Sequence, residues 1–280
     1  MLIIGTDEAG YGPLLGPLVI VAAVYETDRP RRHLPGAGIA DSKVIYTRGG
    51  RDALAEVLGP YLGVNQPLRL STLLSQLSVR GDPRGGYRWY GDVEDTVPAP
   101  GRAPASFSRL YLNPVCERDY NEGCKTHGNK AGLLFTETMR VVRAALDDAP
   151  GRDANVVCDK HGGRNRYAAL LMAEFCPLTL IAERESAARS SYRLRLADRQ
   201  LTIRFVPKAD RDDKPVALAS MAAKYLRELF MEGLNAFFAS RVEGLRPTAG
   251  YHGDGNRFLE EVGPVLADLG CAKDEFVRRL

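Results

Sequence analysis

Four carboxylates stand where short apolar runs end. Asp7 and Glu8 follow LIIGT, with Ala9-Gly10-Tyr11-Gly12-Pro13 behind them; Asp159 closes VVCD; Asp210 leads Asp212 and Asp213 shortly after Val206-Pro207. An isolated Asp-Glu pair ordinarily caps a turn, and Asp212 and Asp213 stand where a helix cap is the usual role. Three acidic sites at strand ends point further, because ligands of α/β sheets gather beyond the carboxyl ends of strands. Carboxylates that converge need a compensating positive charge, and an all-oxygen donor set suits Mg2+ or Mn2+. Adjacent strand residues face opposite sides, so Asp7 and Glu8 cannot both point inward from a regular strand. The loop behind them leaves backbone N–H groups free to approach an anion or a sugar.

Basic residues surround these acids: Lys43, Lys160, Arg164 and Arg166, then Arg184, Arg189, Arg193, Arg195, Arg199, Arg204 and Lys208. A solvated face is the ordinary reading of such a run, but positive walls beside carboxylates also suit a phosphodiester bound through metal. Tyr11, Tyr192 and Tyr251 could stack on sugars or bases. The whole chain of 280 residues carries only +3 and a pI near 8.6, which excludes a histone-like polycation. No apolar stretch reaches the ~20 residues of a membrane helix, and MLIIGTDEAG has no basic leader, so a cytoplasmic, non-membrane protein is expected. Five cysteines without a C-x-x-C pair fit a reducing compartment. Cys116, Cys124 and His127 lie close together but lack a fourth zinc ligand nearby.

The elements that must carry these residues follow from periodicity. Residues 2–7 and 17–25 read as neighbouring antiparallel strands, 47–62 as a helix, 107–112 as a strand and 129–146 as a helix. A buried strand at 155–158, a helix at 166–175, strands near 178–182 and 201–206, and helices at 215–240 and 256–269 complete the series. Gly and Pro interrupt 63–105, including Pro98 and Pro100, around an apolar piece at 68–79 and the aromatics Tyr87, Trp89 and Tyr90. That region reads as an insertion on the domain. The alternation defines an α/β domain whose sheet mixes antiparallel and parallel pairs.

The ordered motifs resemble the ribonuclease HII family. GTDEAGYGPLLGPLVIVAAV is similar to its Asp-Glu-Ala-Gly-Arg-Gly-Pro opening, IADSK at 39–43 to its Asp-Ser-Lys segment, and VVCD at 156–159 to the strand of its third acid. KADRDDKPVALASMAAK at 208–224 resembles the archaeal form of the segment with the fourth acid, and AGYHGDGNRFLEEV at 249–262 the late Gly-Tyr motif. The resemblance implies an RNase H-like mixed sheet flanked by helices, with a catalytic domain over 1–240 (insertion about 60–105) and a C-terminal helical extension over 241–280. It implies a monomeric endoribonuclease acting on RNA/DNA hybrids or ribonucleotide-containing duplex DNA, with a catalytically weak nucleic-acid-binding relative as the alternative. Asp7, Glu8, Asp159 and Asp210 would hold two ions, Mg2+ or Mn2+. The backbone of Gly10, Tyr11 and Gly12 would meet the ribose 2′-OH, Tyr251 the sugar at the junction, and Lys43 and Ser220 phosphates, with Lys160 and Arg164 on the nucleic-acid side. The sequence departs from the family pattern at Tyr11, which replaces Arg, at Val44, which replaces a second Lys, at Lys160, and at Ala217-Leu218.

Overall fold

Alternating burial against helices on both faces explains why the apolar runs become central strands. In the computed structural model, which describes residues 1–28, 31–36, 38–62, 68–90, 96–97 and 101–279, β1 (Leu2–Ala9) pairs antiparallel with β2 (Leu18–Glu26). Helix α1 (Ser42–Leu58) follows, broken by non-helical angles at Gly49 and Gly50. The two-residue strands β3 (Leu68–Arg69) and β4 (Thr96–Val97) form a small ribbon around α2 (Leu70–Leu77). Then come β5 (Phe107–Val115), α3 (Glu117–Thr126), α4 (Lys130–Asp147), β6 (Ala154–Asp159) and α5 (Ala168–Phe175). The hairpin β7 (Thr179–Glu185) and β8 (Ser190–Arg195) leads into β9 (Gln200–Val206), and α6 (Lys214–Ala239), α7 (His252–Asp268) and α8 (Lys273–Phe276) finish the chain.

The seven-stranded sheet has the order β5-β2-β1-β6-β9-β8-β7. Its three middle strands β1, β6 and β9 are parallel, while the outer pairs are antiparallel. The expected α/β class with a mixed sheet is therefore present. Parallel pairing decides where the chemistry lies. Thr6 pairs with Cys158 and Asp159 with Val206, so Asp7, Asp159 and the chain leaving β9 reach the same edge.

Each face of the sheet is covered. Ile3, Val19, Val21 and Ala23 pack beneath α6, whereas Leu2, Ile4, Ile20 and Ala22 pack beneath α4. Helix α6 begins at Asp213, whose carboxylate accepts from Val216 N at 3.1 Å; Pro215 fits the first turn, where no N–H is needed. Arg31 grips the same Asp213 and donates to the carbonyls of Ile4 (2.8 Å) and Asn155 (2.9 Å), locking α6 to β1 and β6. Asp213 is thus a cap and not part of the acidic site.

Two readings change in detail. Helix α3 and strand β8 carry little periodic signal, because α3 has few apolar residues and β8 lies inside a charged run. The 60–105 region is also partly built into the core. Leu70, Leu73, Leu74, Tyr87, Trp89 and Tyr90 are buried with α6, Trp89 meeting Phe276 edge-on at 4.9 Å and Tyr90 meeting Phe230 at 5.0 Å. Residues 63–67, 91–95, Pro98 and Pro100 lie outside the described residues. The C-terminal residues are tied in as well, since Phe276 is buried and Arg278 N donates to Leu14 O at 3.0 Å.

Glu117 at the start of α3 joins these parts. Its Oε1 accepts from Tyr90 Oη at 2.8 Å and from Gly16 N at 3.1 Å, while Oε2 is buried without a partner. Burial pushes its carboxyl up to about 7. A carboxyl raised on folding contributes stability below its unfolded value, and that contribution, about 3 kcal/mol in total, is lost as pH rises towards 7. Glu117→Gln should melt with wild type near pH 4.5 and several degrees above it at pH 8. A Tm difference that does not widen with pH would show that Glu117 stays ionised without penalty.

Candidate active site

Near the end of β1, Asp7 lies on the face of Ile3 and Gly5, towards α6, where Ser220 bonds to it. Glu8 N donates to Asp7 Oδ1 at 2.8 Å, fixing the carboxylate at the strand end. Asp159, at the end of β6, accepts from Ala209 N at 3.0 Å and also from the N–H groups of Lys160 and Lys208. Asp210 sits in the single 3₁₀ turn Ala209–Arg211 after β9. The four acids line one cleft of about 260 Å³ together with Ala9, Gly10, Ser42, Lys43, Lys208, Ser220, Lys224, Arg227, Glu228 and Tyr251.

The carboxylates crowd one another. Burial, then the charge of Asp159, raises Asp7, with Asp210 adding to the effect; burial and then Asp7 raise Glu8. Asp159 is raised by burial and by Asp210, and Asp210 by burial and by Asp41, although Lys43 and Arg211 counteract the latter. Acids held together at such cost, all with oxygen donors, fit a hard divalent cation. Among the described residues, no three His, Cys, Asp or Glu side chains are already gathered as a ligand set.

Gly10 has φ +84, and a Cβ there would lie 2.6 Å from Pro17 O and 2.5 Å from Arg227 Nε, so only glycine fits. Arg227 is buried and donates to Leu15 O (3.3 Å) and Ala249 O (2.9 Å), joining the loop after β1 to the segment before Tyr251. Leu14 N (2.7 Å) and Leu15 N (3.1 Å) donate to Gly250 O, reinforcing that link. Tyr251 itself is 57% exposed.

The structure therefore brings together Asp7, Glu8, Gly10, Lys43, Asp159, Asp210, Ser220 and Tyr251 from the sequence-predicted set. It leaves the others outside the cleft lining. Tyr11 is half-buried beneath Lys130, whose Nζ lies 5.1 Å from the ring centre, and Gly12 is exposed. Lys160, expected on the nucleic-acid side, is instead buried. Its Nζ donates to Asn165 Oδ1 (2.7 Å), Ser186 O (2.6 Å) and Ala187 O (3.0 Å), pinning the β7–β8 turn, because the residue after Asp159 points away from it. Arg164 lies 6.0 Å over the Tyr167 ring and is likewise not at the cleft.

Periodicity could have found Lys224, Arg227 and Glu228, which were missed beside the predicted Ser220. Ser220, Lys224, Arg227 and Glu228 fall at i, i+4, i+7 and i+8, a polar stripe on an otherwise apolar helix. Ser42 was hidden inside the Asp-Ser-Lys segment; its Oγ lies 3.1 Å from Ser220 Oγ, while Asp41 caps α1 by accepting from Lys43 N at 2.9 Å.

The mixed sheet with strand-end acids is an RNase H-like fold. It resembles the ribonuclease HII in the PCNA:RNase HII complex from Archaeoglobus fulgidus, at TM-score 0.52 and 19% identity over 99% of this chain and 94% of that one. It also resembles Bst-RNase HIII in complex with Mn2+, at TM-score 0.50 and 19% identity over 100% of this chain and 66% of that one. The Ribonuclease HII family model matches residues 4–70, and the opening segment is 58% identical over 45 residues to Ribonuclease HII of Pyrococcus abyssi, covering 16% of this chain and 20% of that protein. A second relative, Ribonuclease HII of Methanocaldococcus jannaschii, is 45% identical over 58 residues, covering 21% and 24%. The matched stretch thus spans only about a fifth to a quarter of these curated relatives. Over residues 4–70 the chain is thus similar to ribonuclease HII, with Gly-Tyr-Gly at 10–12.

Proposed function

We propose that the protein is a divalent-metal-dependent endoribonuclease that cleaves RNA in RNA/DNA hybrids or ribonucleotides embedded in duplex DNA, leaving a 5′-phosphate and a 3′-hydroxyl. The observation that carries this reading is the convergence of Asp7, Glu8, Asp159 and Asp210 in a cleft that also holds Lys43, Ser220, Gly10 and Tyr251. Asp7, Glu8, Asp159 and Asp210 would hold two ions, Mg2+ or Mn2+, which when bound supply water activation and stabilisation of the departing 3′ oxygen. Mn2+ is the ion in the complex of the RNase HIII neighbour.

The chain's own groups bind and orient. Ser220 holds Asp7, and the amides of Lys208 and Ala209 hold Asp159, so both carboxylates keep their direction before substrate arrives. The Gly10 peptide, which carries no side chain of its own, can reach a ribose 2′-OH, the group that separates RNA from DNA. Tyr251 offers a ring to the sugar beside it, and Lys43 and Ser220 meet backbone phosphates. Residues 1–240 would form the catalytic domain and 241–280 a C-terminal extension that carries Tyr251. Among the described residues, no helix is long and apolar enough to cross a membrane, and we take the protein to act as a cytoplasmic monomer.

The test is a DNA duplex with one embedded ribonucleotide, incubated with the protein and Mg2+ or Mn2+. Cleavage at the ribonucleotide, leaving a 5′-phosphate and a 3′-hydroxyl, is expected. Binding without cleavage in either metal would replace this reading with that of a nucleic-acid-binding relative.

A further inference from the structure

Only two non-glycine residues among those described have positive φ: Cys176, which ends α5, and Lys208, at φ 55, which lines the cleft. A left-handed lysine is strained, and glycine or asparagine would adopt the same turn more readily. The turn itself has a purpose, since it directs the N–H groups of Lys208 and Ala209 at Asp159. That purpose needs the backbone alone, so it does not account for a lysine side chain.

The other cations of the cleft separate by what holds them. Lys224 Nζ lies 3.5 Å from Glu228 Oε1 and 3.8 Å from the Tyr46 ring centre, and Arg227 is spent on the carbonyls of Leu15 and Ala249. Among the described residues, the ammonium groups of Lys43 and Lys208 are in no hydrogen bond or ion pair. Lys208 is exposed, lines the cleft together with Asp159 and Asp210, and stands two residues before Asp210.

We propose that Lys208 is a phosphate-contact residue, its ammonium binding a backbone phosphate of the nucleic acid beside Asp159 and Asp210. This rests on the functional reading above and adds to it a substrate contact supplied by the segment after β9. Each phosphate neutralised by a lysine releases counterions, so the contact has its own signature in salt dependence.

The experiment measures binding of a fluorescein-labelled RNA/DNA hybrid by anisotropy across a KCl series in Ca2+, for wild type, Lys208→Met, Lys208→Arg and Lys208→Gly. Met keeps the stem and the backbone preference without the charge; Gly relieves the strained turn. Lys208→Met and Lys208→Gly are expected to bind roughly ten-fold more weakly, with the slope of log K against log[salt] reduced by about one. Lys208→Arg should keep the wild-type slope. Wild-type affinity and slope in the Met and Gly variants would overturn the inference, as would an equal loss in Lys208→Arg, which would trace the effect to conformation. Failure of wild type to bind the hybrid at all would sink the functional reading, and this inference with it.

Discussion

Asp7→Asn is expected to abolish hydrolysis of a ribonucleotide-containing duplex and, in the same protein, to raise the melting temperature measured without metal. The two effects share one cause. Burial, Asp159 and Asp210 all disfavour an ionised Asp7, so the folded protein carries a carboxylate it would hold more easily as a neutral group. Asparagine keeps the shape and can still accept from Glu8 N, which sits 2.8 Å from Oδ1, while removing the charge. The gain should be about 1–2 kcal/mol, the usual scale for relieving strain stored at a functional site. The loss of activity should be at least on the order of 10³-fold, as for removal of a group that stabilises charge in the transition state. Titration with Mn2+ supplies a second reading: binding at a hundred times Kd stabilises by about 2.7 kcal/mol, and Asp7→Asn should forfeit most of that rise. A metal-free Asp7→Asn protein that melts below wild type would show that the carboxylates do not oppose one another as described.

How much of this arrangement was legible beforehand depended on where each signal resided. The acids were legible because Asp7, Glu8 and Asp159 close apolar runs and Asp210 follows one shortly after, and an apolar run followed by a carboxylate is a local pattern. Their convergence was not local; it follows from the parallel pairing of β1, β6 and β9, which no single segment encodes. Lys160 misled because a basic residue beside an acid looks like a phosphate contact, whereas strand alternation turned it to the opposite side and gave it three acceptors at the β7–β8 turn. Arg227 was visible only as one member of the polar stripe on α6, with nothing to name its role. A lone arginine in a long apolar helix announces no partner, and its role is defined by carbonyls of Leu15 and Ala249, which sequence reading treats as interchangeable backbone. The aromatics near 87–90 were noticed, but the Gly and Pro residues around them suggested a surface loop. Their burial against Phe230 and Phe276 requires elements more than a hundred residues away.

Gly5→Val separates local preference from tertiary packing most sharply, because the two predict opposite signs. Position 5 lies in a buried strand, where valine is among the best residues and glycine among the worst, so propensity alone expects a gain of up to ~1 kcal/mol. The structure expects a large loss. A Cβ on Gly5 would lie 2.3 Å from both Pro215 C and Val216 N, and the obstacle is the backbone of α6, not a side chain that can swing aside. That backbone cannot retreat freely, since Asp213 caps it and Arg31 ties Asp213 to the carbonyls of Ile4 and Asn155. Overpacking of this kind costs about 1–3 kcal/mol, occasionally more, and even Gly5→Ala should lie within that range. The consequence for function follows from the same contact. Helix α6 carries Ser220, which holds Asp7, and the turn just before α6 carries Asp210. If α6 moves outward to admit a side chain at position 5, both groups leave their places opposite β1. Gly5→Ala should therefore lose activity out of proportion to its fall in Tm, when assayed well below the melting transition. Retained activity and an unchanged Tm in Gly5→Ala would mean that α6 does not approach β1 this closely, and that the positioning of Asp7 against Ser220 has some other origin.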